Sequence, residues 1–412
     1  MSSSEAEGSK SPFYEIARQA VIAPQEQMVK AGQGRHHLKI GIPKEGFYQE
    51  KRVPITPHAV RQLVNNGHEV LLESGAGDEA KFTDNNYSEA GAQITYDRRE
   101  VFKTNVVLKV ALPTMEELGY MTHNQTLIST LYLPILQKEQ IQLMQQKRVT
   151  AISFELLKDR VENYPVLQAM SEIAGSTSVL IAAEYLSNIN HGRGVMLGGI
   201  PGIPPSQITI LGAGTVALSA AKAAFGLGAE VKVFDFSVYR LRRLQRQLSM
   251  PIYTSVINPE RLANELALSD VAIGALRASG MRSPCVVTDD MVAGMKNDSV
   301  IVDVSIDQGG CFETSEVTNH LQPTFIKHGV IHYCVPNIAS RVSRTASYAL
   351  GNIFTPILLD IGEFGGIKNY LWEREHIRFG TYLYRGNLTN RYIAEKFHMP
   401  SKEIDLLIAA NI

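Results

Sequence analysis

The chain has 412 residues, 44% of them hydrophobic and 20% charged, which is too long for one ordinary core and has the balance of a globular protein. Forty basic against 41 acidic side chains leave a net charge of -1, so no global field would draw nucleic acid or an anionic membrane to it. Two domains acting on a small molecule are the expectation.

Residues 1–37 read as an N-terminal extension in which Phe13, Ile16, Ala17 and Ala20 would share one face of a short amphipathic helix. The start, MSSSEAEGSK, lacks the basic-then-apolar profile of a secretory signal. No later stretch holds the roughly 18 uninterrupted apolar residues of a membrane span, so a cytoplasmic address is expected. Cys285, Cys311 and Cys334 are dispersed and odd in number. They suggest neither a disulfide framework nor a metal site and read as buried small residues.

The globular part begins at LKIGIPKE. Thr56 and Pro57 form an N-cap followed by proline at N1, the helix reads HAVRQLVNN, and Gly67 ends it before the strand HEVLLE. Strands follow at NVVLKVAL, TLISTLYL and VTAISFE, an alternation that predicts a parallel α/β sheet. A helical segment from about Val166 to Asn190 leads into GRGVMLGGIPGIPPS, too rich in Gly and Pro to continue it. Strands ITIL, VKVFDF, VAIGAL, SVIVDVSID and GVIHYCV then build a second sheet. TASYALGNIFTPILLDIG is again helical and is expected to pack back on the first domain. The expected division is therefore 38–165 plus 344–412 for a discontinuous first (substrate) domain, with 166–343 inserted as a nucleotide-binding domain.

In the inserted part, Gly212, Gly214 and Ala217 form GxGxxA between a strand and a helix. The first glycine permits the tight turn, the second lets backbone approach a pyrophosphate, and the small third residue lets helix and strand pack closely. The helix N-terminus would face the phosphates with free N–H groups. Asp235 ends the next strand, where a carboxylate binds a ribose 2'-OH and repels a 2'-phosphate, so NAD is favoured over NADP. Arg240, five residues on, is either a counterweight that accommodates a 2'-phosphate or a solvated charge beside Arg242 and Arg243. The fold class is thus α/β, with two Rossmann-like, doubly wound parallel sheets.

SVIVDVSIDQGG reads as a buried strand whose last residue, Asp307, stands at the strand end where ligands bind in open α/β sheets; a turn cap is the competing role. His58 and His68 flank the first helix and its strand and read as solvated or core residues. His123 lacks any positioning motif.

Several segments resemble the alanine dehydrogenases, in order and at their spacing: IGIPKE, KRVPITP, NNGHEVLLESGAG, AMSEIAG, GRGVMLGGIPGIPP, the GAGTVA turn, VDVSIDQGGCFET and HYCVPN. The related transhydrogenase NAD-binding subunit fits IDQGGCFET and GGRGVMLGG less well. The resemblance implies that Arg52 binds the substrate carboxylate, for which a guanidinium fork is well matched. It also implies that Ser171 and Asn337 touch the cofactor, that Asp307 sits beside the nicotinamide and the reacting carbon, and that the protein is a homo-oligomer, a hexamer, assembled partly through the first domain.

Two positions depart from the family pattern. A lysine that holds the substrate in the family is Ala111 here, and the family's histidine acid/base is Tyr132. Lys109, two residues before Ala111 and on the same strand face, would reach the substrate in the lysine's place. Tyr132 would donate to the carbonyl or carbinolamine oxygen, or else pack in the core. The expected activity is an NAD-dependent amino-acid dehydrogenase deaminating L-alanine to pyruvate and ammonia, with Asp307, Tyr132 and Lys109 catalytic. An NAD sensor without activity, or a dehydrogenase for another 2-oxo acid, are the alternatives. Trp372, Tyr382, Tyr384 and Tyr392 crowd the C-terminal segment and read as an interface or as core.

Overall fold

The computed structural model describes residues 36–46, 49–131, 135–277 and 282–410. The extension helix expected near Phe13 and the residue Tyr132 lie outside them.

Two sheets organise the chain. The first has eight strands: β1 (Lys39–Ile42), β2 (Glu69–Glu73), β3 (Gln93–Thr95), β4 (Val106–Leu108), β5 (Thr126–Ser129), β6 (Thr150–Ser153), and the late pair β14 (Thr381–Tyr384) and β15 (Asn387–Leu388). The second has seven: β7 (Gln207–Leu211), β8 (Glu230–Asp235), β9 (Tyr253–Val256), β10 (Val271–Gly274), β11 (Val300–Asp303), β12 (Thr324–Lys327) and β13 (Val330–Tyr333).

Strands β1 to β6 are all parallel and lie in the order β3-β2-β1-β4-β5-β6. The second sheet repeats that order as β9-β8-β7-β10-β11-β13, again parallel, with β12 antiparallel at its edge. Both follow the doubly wound 3-2-1-4-5-6 scheme, whose direction of winding reverses between its first and fourth strands. The central strands are apolar on both faces, as VVL in β4 and VIVD in β11, because helices cover both sides of a parallel sheet.

The Pro165–Leu186 helix leads from the first sheet to the second. Its proline stands at N1, where no backbone donor is lost. By length and composition alone it is long and apolar enough to cross a membrane, a test that core helices also pass. Its apolar character is put to use in packing along the Thr215–Gly226 helix. Gly175 makes the contact: a Cβ there would lie 2.2 Å from the Val216 carbonyl oxygen. The Ser343–Glu363 helix returns to pack on the Pro57–Asn65 helix of the first sheet, and β14 then pairs antiparallel with β6.

Three expectations change. The VIVDVSID strand stops at Asp303, and Asp307 lies in the 3-10 turn Val304–Gln308. The cause is Asp303 itself: its buried carboxylate accepts from the Ser305 N–H (3.0 Å), the Cys311 N–H (2.8 Å) and the Ser315 hydroxyl (2.7 Å), which folds the chain over. Cys311 and Cys334 are buried, but Cys285 is exposed, in a loop whose backbone N–H bonds go to Cys311 and Gln308 on either side of it. The aromatic C-terminal segment divides: Tyr382 and Tyr384, on β14, are core, whereas Trp372 and Tyr392 are 54% and 72% exposed.

Candidate active site

The candidate residues follow the carboxyl ends of the strands of both sheets, and side chains from the two sets of ends meet: Glu50, after β1, accepts from Asn337 and Ser340, after β13. On the nucleotide side, Gly212 follows β7 with φ +116°, and a Cβ there would lie 2.4 Å from the Ala275 carbonyl oxygen. Only glycine fits. Gly214 has the opposite surroundings, with open space where a Cβ would point, so a pyrophosphate can approach the backbone. It is also the N-cap of the Thr215–Gly226 helix and offers no side chain to the first-turn N–H groups, which remain available to an anion. Ala217 is fully buried on that helix.

Asp235 ends β8 almost fully buried, and its carboxylate accepts from the Ala213 N–H (2.8 Å) and the Ser237 N–H (2.7 Å). The acid is thereby fixed beside the glycine turn, with lone pairs left for ribose hydroxyls. Arg240 is exposed on the Val238–Leu248 helix with Arg242 and Arg243. The open cradle at Gly214, the uncapped helix start and the fixed carboxylate together fit a dinucleotide.

On the substrate side, Arg52 lies in the loop after β1. Its Nε and Nη2 donate to the Glu50 carboxylate at 2.7 and 2.6 Å, and Nη1 rests on the Met170 sulfur at 3.2 Å. Ser171 follows Met170 on the Pro165–Leu186 helix and is half-buried. Glu50 also joins the two halves of the molecule, accepting from the Ser340 hydroxyl (2.7 Å) and from Asn337 Nδ2 (2.8 Å). Burial alone would raise its pKa, but the Arg52 guanidinium and these donors bring it down to about 2. The same pairing outweighs the burial of Arg52 and raises its pKa.

Asn337 is the joint of the site. Its backbone is left-handed at φ 58°; its side chain holds Glu50 and its N–H bonds the Asp307 carboxyl. Asp307 opens to the crevice yet has protein on its flanks. Desolvation there pushes it up to about 6 against the pull of the Asn337 N–H and of Arg52. Arg52 and Asp307, 255 residues apart in the chain (307 − 52), thus share one charged neighbourhood.

Lys109 behaves differently from the expectation. Its ammonium is fully buried, 2.6 Å from Glu45 and 3.4 Å from Glu117, and the two carboxylates hold it charged against burial. Glu45 further accepts from the Val110 N–H at 2.5 Å. A lysine that spends two of its three N–H donors on buried carboxylates ties the loop after β1 to the end of β4; that geometry argues against its catalytic role. Ala111 is buried, with no polar side chain to offer. Among the described histidines, His68 accepts the Leu38 N–H just before β1 and His123 is exposed just before β5. Both lie at the amino ends of strands, away from the crevice.

One group in the crevice escapes sequence reasoning. Glu155 sits in the 3-10 turn Phe154–Leu156 directly after β6, partly exposed, bonded by the Thr130 hydroxyl and within the fields of Arg277, Arg52 and Asp307. Burial raises its pKa. Its place at the end of VTAISFE was the available signal, since strand carboxyl ends line ligand crevices. Glu50 was signalled only by standing two residues before Arg52.

Residues 41–174 match the family model described as "Alanine dehydrogenase/PNT, N-terminal domain" and residues 178–391 match "Alanine dehydrogenase/PNT, C-terminal domain". The protein called alanine dehydrogenase 2 of Staphylococcus aureus is 38% identical over 370 residues, covering 89% of this chain and 99% of its own. Among solved structures, an L-alanine dehydrogenase superimposes with a TM-score of 0.82 at 37% identity, covering 88% of this chain and 99% of that one. A transhydrogenase from Sinorhizobium meliloti shares the fold, with a TM-score of 0.73 at 23% identity over 86% of this chain and 99% of that one.

Proposed function

The chain belongs to the alanine dehydrogenase/PNT family, which uses NAD(P), and is homologous to alanine dehydrogenase, an NAD-dependent oxidoreductase; from that premise we propose that it is an NAD-dependent amino-acid dehydrogenase interconverting L-alanine with pyruvate and ammonia. The observation that carries this reading is the meeting of Arg52 and Asp307 through Glu50 and Asn337, at strand carboxyl ends, as is the GxGxxA turn after β7.

In this reading Arg52 binds the substrate carboxylate. Glu50 occupies one edge of the guanidinium and leaves for the ligand the outer N–H of Nη2 and the Nη1 N–H that does not rest on the Met170 sulfur, so the fork is preoriented before substrate arrives. Asp307 stabilises positive charge at the reacting carbon and nitrogen. When bound, NAD supplies the hydride acceptor. Asp235, fixed by two backbone N–H groups, favours a 2'-hydroxyl over a 2'-phosphate. Tyr132 donates to the substrate's oxygen. The family likeness supports a cytoplasmic homo-oligomer. Exposed Leu180, Ile189, Met196, Ile200 and Ile203 on and after the Pro165–Leu186 helix support assembly, and a monomer by sedimentation would contradict it.

Ala111 favours a second reading, in which the pocket has changed its 2-oxo acid or lost turnover. A panel of L-amino acids with NAD, followed by NADH absorbance, separates the two: the fastest rate with L-alanine supports the first, and a faster rate with another amino acid, or none with any, overturns it.

A further inference from the structure

The reading as an amino-acid dehydrogenase leaves a chemical task unassigned. Deamination moves protons from the substrate ammonium, to and from water, and onto the departing amine. Lys109 is committed elsewhere, His68 and His123 lie at the amino ends of strands, and His320 is placed against Glu50 and the Asn337 main chain. We propose that Glu155 is the proton relay of this site, exchanging protons with the substrate nitrogen and the attacking water while Asp307 stays ionised beside them.

The two carboxyl groups differ in what holds them. Asp307 is bonded by the Asn337 main-chain N–H, which can only donate and so favours the carboxylate. Glu155 is bonded by the Thr130 hydroxyl, which donates to a carboxylate and, by rotating, accepts from a carboxylic acid. That bond survives either protonation state. The groups around Glu155 come from both sheets: Thr130 after β5, Arg52 after β1 and Tyr382 on β14 from the first, Arg277 after β10 and Asp307 after β11 from the second. Burial raises its pKa, and the Thr130 hydroxyl and the two arginines oppose that rise. A pair of carboxyl groups whose surroundings treat their protons differently is the pattern by which acid and base roles divide. Partial exposure of Glu155 gives its proton a path to solvent.

The steps balance as follows. The Glu155 carboxylate takes a proton from the ammonium, and the α-hydrogen leaves with its electron pair for bound NAD, giving an iminium. Glu155 releases its proton to solvent. It then takes a proton from water as the water oxygen bonds the α-carbon, and gives that proton to the amine. The C–N bond breaks, its electrons leaving with ammonia, while the hydroxyl proton returns through Glu155 to make ammonium. The net change is amino acid, NAD⁺ and water to oxo acid, NADH, ammonium and one proton.

The inference rests on the dehydrogenase reading, and the test separates the two. Pyruvate is titrated into the NADH-loaded protein by calorimetry near neutral pH in buffers of different ionisation enthalpy, and turnover is measured across pH. An arriving carboxylate raises the pKa of a nearby acid, so wild type should take up as much as one proton. Glu155→Gln should take up markedly less, lose about 10²- to 10⁴-fold in kcat, lose one limb of the pH–rate profile, and keep its NADH affinity. Glu155→Asp should recover part of the rate. A Glu155→Gln protein that takes up the same proton count, or keeps kcat within threefold with an unaltered profile, overturns the relay alone. Wild type that binds no pyruvate in the NADH complex overturns the dehydrogenase reading and the relay with it.

Discussion

Glu50→Gln tests the joint between Arg52 and the second sheet. Glu50 is 6% exposed and accepts from Arg52 Nε and Nη2, the Arg52 N–H, Ser340 and Asn337. A glutamine keeps one acceptor oxygen but turns an NH₂ toward donors. The pKa of Glu50 falls from its ordinary 4.5 to about 2 on folding, and at about 1.36 kcal/mol per tenfold change in proton affinity this is worth about 3 kcal/mol at neutral pH. Because the folded pKa lies below the unfolded one, the contribution is complete above about pH 5 and disappears as pH falls toward 2, with less than half remaining at pH 3. Urea unfolding of wild type and variant at pH 7, 5, 4 and 3 reads the difference, in which other titrations cancel. A gap of about 3 kcal/mol that closes with acid is expected. A gap below about 1 kcal/mol at pH 7, or one independent of pH, would refute the role given to this carboxylate.

Arg52→Lys keeps the charge but not the fork; KM for pyruvate should rise at least tenfold with NAD affinity unchanged, and unaltered kinetics would remove Arg52 from the site. Asp235→Ser should narrow the preference for NAD over NADP measured by calorimetry, and an unchanged ratio would deny the carboxylate its ribose. Lys109→Met should cost about 3–5 kcal/mol of stability by leaving Glu45 buried without its cation and Glu117 with Arg98 alone; a 10²-fold loss of kcat at full stability would return the ammonium to the chemistry. Tyr132→Phe removes one neutral hydrogen bond, about 1 kcal/mol or roughly fivefold in kcat; a 10³-fold loss would make Tyr132 the relay.

What could be read from the sequence was local. The turn around Gly212 and Gly214, the acid at Asp235 and the two runs of alternating strands and helices are written in contiguous segments. Asp307 was recognisable as functional, but its place was not: the apolar run VIVDVSI continues past Asp303, and nothing in that pattern announces that the Asp303 side chain will cap Ser305 and Cys311 and end the strand. Lys109 fell on the face of Ala111 by strand alternation, while the carboxylate that claims it comes from 64 residues away. The Glu50–Asn337 bond spans 287 residues and exists only once both sheets have folded. Short β14 and β15 carry too few residues for periodicity to reveal them, and Tyr382, read among candidate interface aromatics, is buried beside Ser153 at the end of β6.

The central claim is hydride transfer from an amino acid, and L-alanine deuterated at the α-carbon tests it most directly. With NAD, the protein should yield pyruvate, ammonia and NADH carrying the deuterium, detected by mass spectrometry. Tight NAD binding with no labelled NADH from alanine, at any pH at which the protein remains folded, would contradict it.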